Sequence, residues 1–286
     1  MTDSSAIAAP AISYLFVPAS RPDRFEKALA SAADAVIIDL EDAVPQDEKD
    51  RALSHLLLAL DQGLSRPAHV RMNAADSPWF ERDLEALAEL TQAARASLAG
   101  VVIPKAESAT DVARVAHALE GARHGVRDTE IIALIESAVG VSAVREIAEV
   151  TGLSRFAVGA ADLSFDLDVD LVSSTLDWVY ARLVVESRLA GLAGPIASPP
   201  FEIQDLSVVE REAVRLRGLG ATAQLSIHPA QLQAIHAGFL PAPKKIEWAR
   251  RVLAAAEVTD GAAQVDGQMV DKPVRERAER ILAQVR

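Results

Sequence analysis

EIIALIESAVG (residues 130–140) and RFAVGAADL (residues 155–163) are apolar runs that each carry one carboxylate towards the far end, Glu136 and Asp162, among small residues. Between them lies the amphipathic stretch VSAVREIAEVTGLS (residues 141–154). The segment reads as strand, helix, strand, and such a crossover pairs its two strands in parallel. Parallel neighbours finish at the same sheet edge, so Glu136 and Asp162 arrive together. Like charges brought that close cannot both ionise without a counter-ion. Carboxylates without Cys or clustered His select a hard cation, Mg2+ ahead of Zn2+. The competing reading makes Glu136 a cap for the next helix and Asp162 the start of a turn.

Outward from this unit, short β-type runs alternate with helical patterns along most of the chain. The runs are Tyr14–Ala19, Ala35–Glu41, His69–Asn73, Val101–Lys105, Ile131–Glu136, Phe156–Asp162, Pro195–Pro199 and Ala223–His228. Pro195–Pro199 is the weakest, because its prolines cannot donate to a ladder. Helices are expected over Asp23–Ala33, Gln46–Leu60, Trp79–Leu98, Asp111–Ala122, Ser142–Val150, Leu171–Leu189, Leu206–Leu219 and Pro229–Ala237. One more, Lys244–Glu257, is expected to close the barrel. Sequential βα units in a chain of 286 residues predict an α/β fold, a (β/α)8 TIM barrel with a C-terminal helical extension. A doubly wound sheet is the alternative, but no GxGxxG opens its first turn. The expected domains are a disordered tail over 1–12, a catalytic barrel over 13–258 and an extension over 259–286. That extension begins with the polar TDGAAQVDGQMVDK (259–272), and Pro273 then opens a last helix.

Half the residues are hydrophobic and only 4% aromatic, so the core is built from Ala, Val, Leu and Ile. The net charge of -12 argues against nucleic acid and against an anionic membrane as partner. With no Cys there is no disulfide, thiol chemistry or thiolate metal site. No apolar run approaches a membrane span, and TDSSAIAAPA lacks a charged segment before a hydrophobic one, so a cytoplasmic location is expected.

Barrel enzymes keep their sites at the C-terminal ends of the strands. There this chain places Arg21, Glu41, Asp42, Arg71, Asn73, Lys105, Glu136, Asp162 and His228. Charged groups closing apolar strands are costly unless they meet partners. Two metal-type carboxylates (Glu136, Asp162), a guanidinium and an ammonium suit a small dicarboxylate or 2-keto acid. The cation would sit on the carbonyl and Arg71 would grip the carboxylate through two parallel hydrogen bonds.

The stretch LFVPASRPDRFEKALASAADAVIIDLEDAVPQDEK (15–49) strongly resembles the opening of citrate lyase beta-subunit-like proteins, members of the HpcH/HpaI aldolase superfamily of Mg2+-dependent barrels. The resemblance continues through Val70–Asn73, Val102–Ser108, Ala133–Gly140, Phe156–Leu163 and Ser226–Gln231, and so covers nearly the whole chain. It implies Glu136 and Asp162 as metal ligands, Arg71 as carboxylate clamp, and Glu41, Asp42 and Lys105 in the surrounding polar shell. It also implies acyl-CoA or 2-keto acid substrates and a homo-oligomer, a trimer or a hexamer. DGQMVDKP (Asp266–Pro273) resembles a segment of malyl-CoA and citramalyl-CoA lyases. There the second Asp, here Asp271, acts as acid/base and comes from the neighbouring subunit. The alternative for Asp271 is an anion stabilised at the start of the final helix. The implied activity is Mg2+-dependent carbon–carbon cleavage of a 3-hydroxyacyl-CoA. A CoA-independent aldolase on pyruvate- or oxaloacetate-type acids, hydrolysis of the thioester product and a non-catalytic CoA-binding subunit are the competing functions.

The chain also departs from the family. Ala223-Gln224 stands where the pattern has Gly-Lys, removing a common phosphate partner, and PAS (Pro18–Ser20) replaces PGS. The loop after Asp162 adds Asp166, Asp168 and Asp170, while Arg21 and Arg24 remain as candidate phosphate contacts. Neither the spacing of His117 and His124 nor the positions of His55 and His236 suggest a zinc site. His69 reads as a hydrogen-bonded structural residue, His228 as a fixed turn, and Trp79, Trp178 and Trp248 as packing residues or subunit contacts.

Overall fold

All eight apolar runs pair as parallel strands in the computed structural model, which describes residues 10–120, 129–258 and 264–284. They are β1 (Ser13–Pro18), β2 (Ala35–Asp39), β3 (Ala68–Arg71), β4 (Leu98–Ile103), β5 (Glu130–Ile135), β6 (Leu153–Val158), β7 (Ile196–Ala197) and β8 (Ala223–Ser226). Each pairs with the next, and β8 returns to β1, which closes the barrel. The proline-bounded β7 is only two residues long, as expected where Pro removes ladder donors.

The helices are α1 (Phe25–Leu29), α2 (Lys49–Gln62), α3 (Phe80–Ala88), α4 (Gln92–Ala96), α5 (Ala109–Glu120) and α6 (Ala138–Ala148). Then come α7 (Ala160–Asp166), α8 (Ser174–Leu189), α9 (Leu206–Gly218), α10 (Leu232–Phe239), α11 (Pro243–Val258) and α12 (Lys272–Leu282). Where one helix was expected over Trp79–Leu98, two form. Thr91 accepts the Ala94 N–H with its hydroxyl and starts α4 as a separate helix, and Leu98 already belongs to β4. Among the described residues no helix is long and apolar enough to cross a membrane.

Alternate strand residues point inward. The mid-barrel layers are apolar, with Ile37, Val102, Ile132, Ala157, Ile196 and Leu225 almost fully buried. Each large aliphatic among them contributes about 1.5–3 kcal/mol through burial. Towards the N-terminal ends of the strands the interior turns polar. His69 Nε2 lies 2.8 Å from Glu130 Oε2, and Arg155 donates to the Tyr14 hydroxyl, the Gly194 carbonyl and Thr222. His69 is thus the structural residue its position suggested.

The chain divides into two compact units, one of residues 11–235 and one containing everything from His236 onward. In the second unit α11 packs on α12 around Ala249, Val252 and Ala278. Its two short strands, Gln264–Val265 and Gln268–Met269, form a hairpin. The turn, Asp266-Gly267, has both φ angles positive, a pairing suited to Asp-Gly.

Candidate functional site

Register builds the first half of the site. Asp39 closes β2 and stands directly across from Arg71, which closes β3. Asp39 Oδ1 accepts from Arg71 Nε and Oδ2 from Nη2, both at 2.7 Å. The same two oxygens accept the backbone N–H groups of Glu41 and Ala43, at 2.9 and 3.0 Å. Asp39 is fully buried, and its four hydrogen bonds make it the fixed point of the strand end. Burial opposes the charge on Arg71, but Asp39, Glu41 and Asp42 together raise its pKa above the usual value. Its guanidinium also lies over the Phe16 ring, 4.7 Å from the centroid.

The two parallel bonds expected for a ligand carboxylate are therefore made to Asp39, and Arg71 has Nη1 left to offer. That nitrogen lies 3.0 Å from Glu41 Oε2 and 3.6 Å from Asp42. The Glu41 contact is close but poorly directed, and Glu41 Oε2 makes no hydrogen bond although it is buried. Burial lifts the Glu41 carboxyl to about 7 against the pull of Arg71, with Asp42 and Asp39 adding to the rise. Beneath it, the buried Lys49 ammonium donates to the Leu40 and Glu41 carbonyls and to Asn73 Oδ1, at 2.7, 2.8 and 2.6 Å. Asn73 is in turn held by Asp83.

The second half grows from β5 and β6. Glu136 directly follows β5 and is 4% exposed. Its Oε1 accepts the Lys105 N–H at 2.7 Å, and Lys105 adopts a positive φ of 44° to present that group. Its Oε2 lies against Gly159, where a Cβ would come within 2.6 Å of it. Only glycine leaves room for this carboxylate. Burial, and then the charge of Glu41, raise the Glu136 carboxyl to about 8, and Asp162 also contributes. Asp162 itself lies in the first turn of α7, not on the strand, because Ala160 and Ala161 turn helical directly after Gly159. Neither acid is a helix cap. Ser137 caps α6 and accepts from Gly140, while Asp166 takes the Ala138 N–H at the same helix start. This gives one of the extra loop acids a structural task.

Glu136, Asp162, Arg71, Asp39 and Asp42 line one cavity of about 320 Å3, with Ser198 and an apolar wall that includes Phe16, Leu134 and Ile227. Among the described residues no three His, Asp or Glu side chains form a complete metal cage. Two carboxylates, one with a free oxygen braced by glycine, nevertheless fit a hard cation that keeps other positions for ligand and water, as Mg2+ does.

Other expected residues lie elsewhere. Arg21 is half-exposed, pairs with Asp23 at 2.8 Å and is not part of the cavity wall. The Lys105 ammonium is exposed, and it is the backbone of this residue that touches Glu136. His228 fixes a turn by accepting from Ala230 N–H through Nδ1. Gln224 is fully buried and donates to the Ser198 carbonyl at 3.0 Å, so its side chain meets backbone and not solvent. In the second unit Asp271 caps α12, accepting the Val274 N–H at 3.0 Å. His124 lies outside the described residues. Asp39, Lys49, Gly159 and Ser198 were not singled out from sequence. The apolar run around Asp39 hid it, although an acid inside AVIID is itself a signal.

Residues 13–229 match the family model described as HpcH/HpaI aldolase/citrate lyase. A citrate lyase subunit beta-like protein of Deinococcus radiodurans is 35% identical, over 95% of this chain and 96% of that protein. An L-malyl-CoA/beta-methylmalyl-CoA lyase of Cereibacter sphaeroides is 32% identical, over 94% and 93%. The crystal structure of the CitE protein of Mycobacterium tuberculosis in complex with magnesium, acetoacetate and coenzyme A superposes with a TM-score of 0.80. It is 34% identical and covers 97% of this chain and 98% of that one.

Proposed function

We propose, from the premise that the chain belongs to the HpcH/HpaI aldolase/citrate lyase family, that it is a Mg2+-dependent carbon–carbon lyase. Its substrate is a 3-hydroxyacyl-CoA such as citramalyl-CoA, malyl-CoA or citryl-CoA, cleaved to or formed from a 2-keto acid and an acyl-CoA. The observation that carries this reading is the single cavity holding Glu136, Asp162 and Arg71. Relatives named as lyases of this kind, and a neighbour solved with magnesium, a keto acid and coenzyme A, support it.

In this reading the Glu136 and Asp162 carboxylates would hold the cation. Bound Mg2+ supplies Lewis-acid stabilisation of the oxygen on which charge develops as the carbon–carbon bond breaks. Arg71 Nη1 takes the carboxylate of the keto acid portion, with Glu41 giving way. Asp39 keeps the guanidinium from following the ligand, so its charge is preorganised. The apolar wall of Phe16, Leu134 and Ile227 excludes water from the reacting carbons. Lys105 places a cation at the mouth for the anionic substrate, and Asp42 lies beside Arg71 Nη1. Asp271, contributed by a neighbouring chain of a homotrimer, moves the proton at the acyl carbon.

The test is turnover of malyl-CoA and citramalyl-CoA with Mg2+, in wild type and Glu136→Ala. Loss of metal binding and of turnover together is expected. Turnover that survives the substitution overturns the metal assignment.

A further inference from the structure

The second unit holds a cavity of its own. Lys244, Lys245, Trp248, Gln268, Arg277 and Ile281 line a space of about 280 Å3. Three cations meet there in a chain whose net charge is -12, so general surface composition does not account for them.

The cations of α12 differ in their partners. On α12, Lys272, Arg275 and Arg280 each face an acid one turn away, Glu276 or Glu279. Arg277 does not. Its guanidinium lies over the Trp248 ring, 5.4 Å from the centroid, and both residues line the cavity. Among the described residues no carboxylate pairs with Lys244, Lys245 or Arg277. Lys244 and Lys245 also occupy the first turn of α11, which contains no acid. Cations there oppose the helix dipole as well as each other. Three cations lining one cavity, with no carboxylate paired to them among the described residues, suit an external anion.

The chemistry of the walls narrows that anion. Two ammonium groups and a guanidinium match phosphoryl oxygens. Trp248 and Ile281 add an apolar surface, and Gln268 an amide that both donates and accepts. We propose that this cavity is a binding site for a phosphate ester of the nucleotide type, its diphosphate held by Lys244, Lys245 and Arg277 and its base or stem resting on Trp248 and Ile281. Such a group can come from the nucleotide end of a CoA thioester or from a free nucleotide. Only the first source rests on the lyase reading.

Calorimetric titration of the full chain with pyrophosphate, ADP and adenosine tests the site without any assay of turnover. ADP is expected to bind more tightly than pyrophosphate, and adenosine far more weakly than either. Arg277→Gln and Lys245→Gln are each expected to weaken pyrophosphate and ADP by about tenfold, the loss of one charge-assisted contact. Because all three cations are exposed, these variants should fold, and an unchanged melting temperature without ligand checks this. Added salt should weaken binding further. If neither pyrophosphate nor ADP binds, or if both variants bind ADP as wild type does, the proposal fails. CoA that competes with ADP, with a raised KM for the thioester in Arg277→Gln and an unchanged KM for the keto acid, identifies the thioester as source. ADP binding that CoA does not displace identifies a free nucleotide and leaves the site standing even if the lyase reading falls.

Discussion

Asp39→Asn isolates the contact on which the positioning of Arg71 depends. The substitution keeps the shape of the side chain but replaces one carboxylate oxygen with an NH2 group. Each oxygen accepts one Arg71 nitrogen and one backbone N–H, so either orientation of the amide breaks two of the four bonds and leaves the guanidinium buried without its full counter-charge. Removing one partner of a buried ion pair costs about 3–5 kcal/mol. For a domain of this size about 2–4 °C of melting temperature accompanies each kcal/mol, so a drop of about 10 °C is expected. Differential scanning calorimetry with and without Mg2+ measures it. Binding of oxaloacetate should weaken while Mg2+ affinity stays near wild type, because Glu136 and Asp162 are untouched. A variant that melts within about 1 °C of wild type and binds the keto acid equally well would refute the claim that Asp39 anchors Arg71.

Other perturbations probe the remaining contacts. Gly159→Ala puts a methyl group 2.6 Å from Glu136 Oε2, so the carboxylate must shift. Mg2+ affinity measured by calorimetry should fall at least about tenfold, for a stability cost of about 1–3 kcal/mol. Lys49→Met leaves the Leu40 and Glu41 carbonyls and Asn73 Oδ1 without their shared donor, and urea denaturation should show a loss of about 3 kcal/mol or more. Glu136 gives the pH dependence. Burial raises its folded pKa from 4.5 to about 8, so in metal-free protein its ionisation costs stability as pH rises through that interval, the unfolded chain losing its proton first. Melting curves should therefore show Mg2+ stabilising the protein more above about pH 8 than below it, since the ion binds the deprotonated carboxylate.

The barrel was legible because its strands are unbroken apolar runs, and burial on both faces leaves little else they could be. Their ends were not. Ala160 and Ala161 continue the apolar character of β6, and nothing in that composition marks Gly159 as the point where strand becomes helix. Asp162 was therefore read on a strand end although it lies in the first turn of α7. Glu136, Asp162 and Arg71 stood out as charges closing apolar runs, and the structure places all three on one cavity. Asp39 was harder to see because its meaning depends on the register that sets it opposite Arg71. Lys49 reads as an ordinary helix lysine until the fold turns it under the Glu41 loop. Gln224 stands where the family pattern has Lys, and only the fold shows its side chain buried and donating to the carbonyl of Ser198. That Arg277 has no acid three or four residues away is readable from the sequence, but its place over the Trp248 ring is not.

The proposed lyase activity requires Glu136 and Asp162 to share one divalent ion facing Arg71. Crystals grown with Mn2+ and oxalate, measured for anomalous scattering, test it directly. One anomalous peak is expected between the two carboxylates, with an oxalate carboxylate turned towards Arg71 Nη1. Oxalate bound in the cavity with no metal peak between residues 136 and 162 would contradict it.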